Sequence, residues 1–441
     1  YEVSSRVAAT KKALEDGAKV IYEAAFLEDD VFVAVDVLHR SRRRWTVTEV
    51  KSTTKVKPEH IPDVGVQTHV VRRAGLDVAR AEVMHLNREC RHPDLSDLFA
   101  RTDVTEQVEA RLPAIPGEAR RQLRMLRGPE PDVGVGDHCS SPYECPFAER
   151  CWPESANHHV GTLYRIGGKQ LDRLLDAGYD SIHDLPDDIE LSAIADRQRR
   201  AVQSGTMVVE PGLGNALARL EHPIAYLDFE TIALPIPIWS GCRPYDGVPV
   251  QFSCHVEDAN GALRHHEWIA EGAGDPRPAL AEALVRALRG AKTILAYNAG
   301  FELGCIADLR EAVPELGAAL QGVARRVRDL LPIVREHVYH PDFGGGFGLK
   351  RVLPPLVPDL SYDDLAIQDG GSATVELERL LLGGAEMKKA ERAALREALL
   401  AYCRLDTLAM VKIVARLRAL AETRGRGSAR RRVGRSVGRA C

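Results

Sequence analysis

The chain holds 441 residues, 45% of them apolar and only 5% aromatic, at a formal net charge of −4. That composition excludes a disordered or fibrous chain and is enough for two or three ordinary domains with real cores. No apolar run approaches the roughly 18 residues a bilayer span needs, and Tyr1 opens directly into EVSSRVAATKKALEDG with neither a signal peptide nor an initiating Met. The expectation is a cytoplasmic globular chain with no membrane contact, truncated at its start. Of the nine cysteines, Cys139, Cys145 and Cys151 cluster and six are scattered singly, unlike the disulfide framework of a small secreted protein, so a reducing compartment is expected.

From residue 18 to about 90 the pattern is strand-like: AKVIYEAAFLE, VFVAVDVL, RWTVTEVKS and RAEVMHLN are rich in Val and alternate, with a helix over 58–74 between the last two. Asp36 is expected to end one of these strands. Glu49 and Lys51 share a face of the next, with only Val50 between them, so an Asp, a Glu and a Lys meet at one end of the sheet. An exposed cross-strand ion pair is the plain alternative for such a triplet. Residues 105–127 read as an Arg-rich helix broken by Pro113 and Pro116, and RGPEPDVGVGDH forms a loop into the cysteine cluster. The first domain is expected to close near 155.

Residues 156–215 read as a helical linker: two short amphipathic helices around Gly178, a Gly167-Gly168 turn, a more polar helix and a Pro-Gly stretch at 211–214. From 222 onward, strands at 224–232, 249–257, 263–269 and 292–297 precede a mostly helical remainder, as in a separate α/β domain over 216–423. The last 18 residues, Arg424 to Cys441, carry seven Arg and no acid. They read either as a polyanion-binding arm or as a solvated, disordered tail.

The third region carries the strongest chemical signal. In YLDFETIALP, Asp228 and Glu230 are two apart in a strand and therefore point the same way. Two like charges side by side are costly unless something positive sits between them, and a divalent metal is the usual remedy. ILAYNAGFEL places Asn298 and Glu302 just past another strand, and LLAYCRLDTLAMVKIV places Tyr402 and Asp406 four apart on one helix face. Asp329, Lys350 and the run Gly344 to Gly346 either shape an entry to this site or form only a loop and its caps.

Asp228-Phe229-Glu230, Asn298-Ala299-Gly300-Phe301-Glu302 and Tyr402-x-x-x-Asp406 resemble, in order and spacing, the three motifs of DnaQ-like, RNase H-like 3′-to-5′ exonucleases of the DEDDy type. The resemblance implies that Asp228, Glu230, Glu302 and Asp406 bind two divalent metals, Mg²⁺ or Mn²⁺, and that Tyr402 orients the attacking water. The second motif normally ends in Asp; here it ends in Glu302, with Asp308 as a less apt substitute.

Asp36, Glu49 and Lys51 resemble the PD-(D/E)xK site of restriction-endonuclease-like folds, and the helix carrying Gln67 follows as in RecB-like members. That resemblance makes Asp36 and Glu49 metal ligands, and Lys51 a stabiliser of charge on the attacked phosphate or its nucleophilic water. Cys139-x5-Cys145-x5-Cys151-Trp152 resembles the C-terminal part of the iron-sulfur staple of RecB-like nucleases, implying a 4Fe-4S cluster whose fourth cysteine lies upstream. Zinc held with His138 or His158, or plain packing, are the alternatives; Cys90 is set too deep in the 78–90 strand pattern to serve. The middle segment bears a faint likeness to a helix-hairpin-helix unit, with a plain linker as the alternative.

Taken over most of the chain, YLDFET, VPVQFSCHV, YNAGFE, DLSYDDL and YCRLDTLAM resemble a bacterial family of unknown function that joins a RecB-like nuclease to a DEDD exonuclease. The expected fold class is α/β: a restriction-endonuclease-like domain plus an RNase H-like (DnaQ-like) domain with a small helical linker. The expected function is a metal-dependent nuclease acting on DNA or RNA. The competing expectation is a nucleic-acid-binding scaffold whose nuclease sites have lost activity.

Overall fold

The computed structural model describes residues 2–134, 137–139, 141–151, 158–383 and 387–436. The chain forms two compact mixed α/β units, one of Tyr1–Pro153 with Ala233–Asp246, the other of Glu154–Ile232 with Gly247–Cys441. Trp152 and the boundary expected near 155 lie outside the described residues. No described helix is long and apolar enough to cross a membrane.

The first unit is built on a five-stranded sheet in the order β1 (Val20–Glu28), β2 (Val31–Ser41), β3 (Arg44–Lys51), β4 (Val78–Leu86) and β5 (Phe99–Asp103). All pairs are antiparallel except β3 with β4. That parallel pair needs a crossover, which the helix His60–Arg73 supplies. Asp29 and Asp30 both adopt positive φ (49° and 62°) to make the two-residue β1–β2 turn. Alternating Val33, Val35 and Val47 pack with Val64, Val71 and Val83 into one core.

Three expectations for this unit are corrected. Asp36 lies within β2 rather than at its end, because backbone pairing of His39 to Ser41 with Arg44 to Thr46 carries the strand on through the polar HRS stretch. The strand at 78–90 stops at Leu86, leaving Cys90 in the turn beyond. Residues 233–246 fold onto this unit: the His92 N–H donates to the Cys242 carbonyl (3.0 Å), the Gly241 N–H to the His92 carbonyl (2.9 Å), and the Tyr245 hydroxyl to the Ser52 carbonyl (3.0 Å).

In the second unit, β6 (Val208–Val209) pairs with β12 (Val338–Tyr339), and the main sheet runs β11 (Val327–Asp329), β10 (Thr293–Ala296), β7 (Ile224–Ala233), β8 (Gly247–Glu257), β9 (Leu263–Ile269). β10 is parallel to both β7 and β11, and β8 is antiparallel to β9. Along central β7 the two-residue period sends Leu227 and Phe229 into a core with Phe252, Leu284, Ile294 and Ile306, and Asp228 and Glu230 to the opposite face. The helix Lys389–Ser436 lies on that face, tied to β8 by the Gln251 amide on the Leu399 carbonyl (2.8 Å) and by Thr407 bonded to Ser253 and His255 (2.8 Å each).

The stretch read as a linker is packed into this unit. It has its own core of Val160, Leu163, Leu174, Ile182, Leu185 and Val202, and Arg197 donates to the Arg335 carbonyl at 2.7 Å. The second of its two expected helices is a single 3-10 turn, Ile182–Asp184, cut short ahead of Pro186. At the other end, the helix Lys389–Ser436 runs through most of the segment expected to be a disordered tail; residues 437–441 lie outside the described residues.

Gly345 has φ +79°, and a Cβ there would stand 1.9 Å from the Thr162 carbonyl oxygen. Gly345→Ala is therefore expected to destabilise the second unit by about 2 kcal/mol or more, read as a lower urea midpoint. Gly322→Ala, inside the helix Gly317–Ala324 with open space around it, should be neutral or stabilising.

Candidate functional site

Three elements bring the predicted acids of the second unit together. β7 presents Asp228 and Glu230, and the C-terminal helix presents Tyr402, Cys403 and Asp406 across from them. The Cys403 thiol donates to Asp228 Oδ2 at 3.3 Å. Glu302, in the first turn of the helix Gly300–Ala312, is buried close enough to raise the pKa of Asp228. Its Oε2 is enclosed without a hydrogen-bond partner. Asp308, the alternative to it, is exposed.

A cleft of about 620 Å³ opens here. Asp228, Glu230, Tyr402 and Asp406 line one part of it; Tyr164, Arg165, Arg335 and Lys350 also contribute. Lys350 Nζ lies 4.9 Å from the ring centre of Tyr362 and 5.0 Å from that of Tyr402, and it donates to the Gln368 carbonyl. The Tyr362 hydroxyl donates to Asp406 Oδ1 at 2.5 Å. Asp329 is a cap and a clamp: its Oδ1 accepts the N–H groups of Leu331 and Asn298, both at 2.9 Å. This holds Asn298 at φ 67° beside the cleft, a region Asn tolerates better than most residues. Gly344 and Gly345 form a turn with positive φ, so of the loop residues singled out in the sequence Lys350 is the one that faces the acids.

Burial and mutual repulsion hold these carboxyls far from their ordinary values. Burial, then the charges of Asp406, Glu230 and Glu302, pushes Asp228 well up. Burial and Asp406 raise Glu230 to about 8 against the pull of Lys350. Burial raises Glu302 to about 7. It raises Asp406 to about 6, opposed by the Tyr362 hydrogen bond and Lys350. Burial likewise pushes up the Tyr402 hydroxyl and the Cys403 thiol.

Asp228, Glu230 and Cys403 each offer a ligand atom, all within 4.8 Å of one another, and could hold a metal ion. The carboxylate oxygens suit a hard divalent cation, while the thiol adds a softer donor. Sequence reasoning missed Tyr362 and Cys403, although both lie in stretches it singled out. A tyrosine within DLSYDDL and a cysteine one residue past Tyr402 carry no spacing signal of their own.

In the first unit Asp36, Glu49, Lys51 and Gln67 do meet. Asp36 Oδ2 accepts the Val50 N–H at 2.6 Å. Lys51 Nζ reaches Glu49 Oε1 at 2.6 Å and Asp63 Oδ2 at 2.5 Å, and the Gln67 amide donates to Glu49 Oε2 at 2.7 Å and Asp63 Oδ1 at 3.2 Å. Asp63 was not anticipated; it precedes Gln67 by one helical turn and so shares its face. Burial raises the Glu49 carboxyl despite Lys51 and Gln67. Burial also works against the Lys51 ammonium, but its bonds to Asp63 and Glu49 prevail and push its pKa up.

Cys139 and Cys145 are half-buried and Cys151 is exposed, with the Cys145 N–H on the Cys139 carbonyl at 2.8 Å. Three thiols supply one ligand fewer than a four-coordinate zinc or a cluster requires. Of the further candidates, Cys90 is buried and donates to the Asp94 carbonyl (3.5 Å), and His158 packs edge-on against His183 with ring centres 5.3 Å apart.

A family model described as "Domain of unknown function (DUF2779)" matches residues 225–348. The match takes in Asp228, Glu230 and Glu302 and stops before Lys350, Tyr402 and Asp406. No curated protein and no solved structure matches the chain.

Because Glu230 titrates at about 8 when folded against an ordinary 4.5, and Glu302 at about 7, the folded state binds more protons than the unfolded one between those values. Its stability falls as pH rises through that window. In chelator, the melting temperature is expected to drop from pH 5 to pH 8. Glu230→Gln should flatten the drop, and a divalent cation should reverse it at the upper end.

Proposed function

We propose that the second unit is a divalent-metal-dependent nuclease that hydrolyses phosphodiester bonds of DNA or RNA by 3′-to-5′ exonuclease chemistry, on an RNase H-like (DnaQ-like) fold. The observation that carries this reading is the meeting of Asp228, Glu230 and Asp406 beside Tyr402 at one cleft, with buried Glu302 near enough to raise Asp228. The sheet supports it: β7 is central, with the antiparallel β8–β9 pair to one side and parallel β10 and β11 to the other. This arrangement lets the middle of the first strand meet the face of the last helix.

Whether these residues suit Mg²⁺ or Mn²⁺ is decided by their donors. Buried acids raise one another's pKa, and a buried Glu302 oxygen has no partner; hard oxygen donors in that condition fit a hard cation, held by Asp228, Glu230, Glu302 and Asp406. Such a cation supplies charge stabilisation to the attacked phosphate and lowers the pKa of water. The chain's own groups do the rest. Tyr402, with its hydroxyl held protonated by burial and the neighbouring acids, can donate to or orient the water. Tyr362 fixes Asp406 through its hydroxyl, and Lys350, packed on both tyrosine rings, offers positive charge to the incoming phosphate. In the net reaction water adds at phosphorus, the bond to the 3′ oxygen breaks and that oxygen takes a proton.

For the first unit we propose a RecB-like PD-(D/E)xK nuclease site at Asp36, Glu49, Lys51 and Gln67. The helix, three strands, crossover helix and fourth strand that frame it support this reading. One observation favours a binding-only role here: both Glu49 oxygens are already engaged, by Lys51 and by Gln67.

Asp228→Ala or Asp406→Ala should abolish Mg²⁺- or Mn²⁺-dependent release of mononucleotides from end-labelled single strands while circular dichroism shows an intact fold. Activity within about threefold of wild type would sink the assignment, since removing a shared ligand costs far more than that. Lys51→Ala should remove a separate nicking or end-processing activity and leave mononucleotide release in place, because sites in separate units with no shared partners behave additively. Loss of every activity with Asp228→Ala alone would make the first unit a binding module.

A further inference from the structure

The acids make part of the cleft strongly negative, so a polyanionic strand entering it needs cations elsewhere on the lining. Three are present: Lys350, Arg335 and Arg165. Lys350 is engaged by the Gln368 carbonyl and two tyrosine rings, and an Arg335 nitrogen lies 3.5 Å from Glu336. Arg165 is exposed and, among the described residues, makes no hydrogen bond or ion pair; its one contact of note is with the Tyr164 ring, 5.3 Å from guanidinium carbon to ring centre.

The backbone that presents it is held in an uncommon shape. Arg165 has φ +52°, a region an arginine keeps only where its surroundings over-determine it. They do. Buried Gln198 accepts the Tyr164 N–H (2.8 Å) and donates to the Thr162 carbonyl (2.8 Å), and the Tyr164 ring meets Phe347 edge-on at 5.3 Å. An unpaired guanidinium on a braced turn is matched to the oxygens of a phosphate, which it can hold by two parallel hydrogen bonds. A cleft of this size admits the end of one strand, and flat side chains beside a cationic track are the usual means of holding unpaired strands.

We infer that Arg165 is a substrate-binding residue that grips an internucleotide phosphate of a single strand whose end lies among the acids, with Tyr164 as the surface beneath it. The identity of the strand rests on the nuclease reading of the cleft. The contact is made to the backbone, so it strengthens binding without selecting sequence.

The test measures binding and hydrolysis separately. Binding of a fluorescein-labelled oligothymidylate is followed by anisotropy over a salt series in the Asp228→Ala background, alone and combined with Arg165→Ala or Arg165→Lys. Arg165→Ala should weaken binding about tenfold and reduce the slope of log K against log salt by about 0.7, the value for one phosphate contact on a single strand. Arg165→Lys should keep the slope, which a merely structural role for the turn would not explain. An unchanged slope in Arg165→Ala, or no binding at all, overturns the inference. Hydrolysis of the same oligonucleotide by the wild type tests the nuclease reading. Hydrolysis with an unchanged slope sinks Arg165 alone, and Arg165-dependent binding without hydrolysis sinks the nuclease reading alone.

Discussion

Repulsion among Asp228, Glu230, Glu302 and Asp406 is the constraint to which the second unit is fitted. Carboxylates packed this closely and this deeply cannot all be charged without a cation among them, and of the three cations on the cleft lining it is Lys350, exposed and set against tyrosine rings, that eases the charge on Glu230 and Asp406. Left to itself such a cluster would spread apart. It is held by anchors elsewhere: the Leu227 and Phe229 side chains lock β7 into the core, and the Ser253–Thr407–His255 network with the Arg404–Glu267 ion pair (2.9 Å) locks the C-terminal helix onto β8 and β9. Stability is thereby given up at the cleft and recovered behind it, as expected where a site rather than the core dictates side-chain choice.

The first unit meets a similar problem in the opposite way. Asp36, Glu49 and Asp63 also converge, but Lys51 sits between Glu49 and Asp63, and Gln67 closes the remaining Glu49 oxygen. Here the cation is part of the chain and the network is internally compensated. In the second site Lys350 offsets the charge on Glu230 and Asp406 only in part, and burial leaves the carboxyls raised above their ordinary values. The two clusters therefore differ although both are built of acids on adjacent elements: in one a lysine lies between two of the acids, in the other the acids are buried together and raise one another.

Much of this was legible in the sequence because it follows the two-residue strand period and the helical turn. The β7 acids and the Tyr402–Asp406 pair share the faces those periods give them, and β7 to β10 stand within two residues of their expected bounds. The positions of Glu49 and Lys51 on one face of β3 were legible for the same reason. What was not legible depends on tertiary contact. Tyr362 reaches Asp406 from 44 positions away, and Asp63 enters only because a crossover helix brings its face over β3. Residues 233–246 leave β7 to pair with His92, which no local pattern announces. The middle segment reads as a connector because its pattern offers only short helices punctuated by Gly and Pro. Yet a small core of its own and one two-residue strand pair are enough to fasten it to the second unit.

That fastening changes what counts as the site. The family-model match covers residues 225–348, which is most of the sheet but less than the cleft. Tyr402 and Asp406 come from the helix beyond the match, and Tyr164 and Arg165 from the segment before it. The acids on β7 and the first turn of the Gly300–Ala312 helix can gather charge by themselves. Without the C-terminal helix they lack the hydroxyl and the fourth acid, and without the turn at 162–165 they lack the lining cation that, among the described residues, makes no hydrogen bond or ion pair. The cleft is therefore a product of the whole second unit, and the segment that reads as a linker supplies part of its lining.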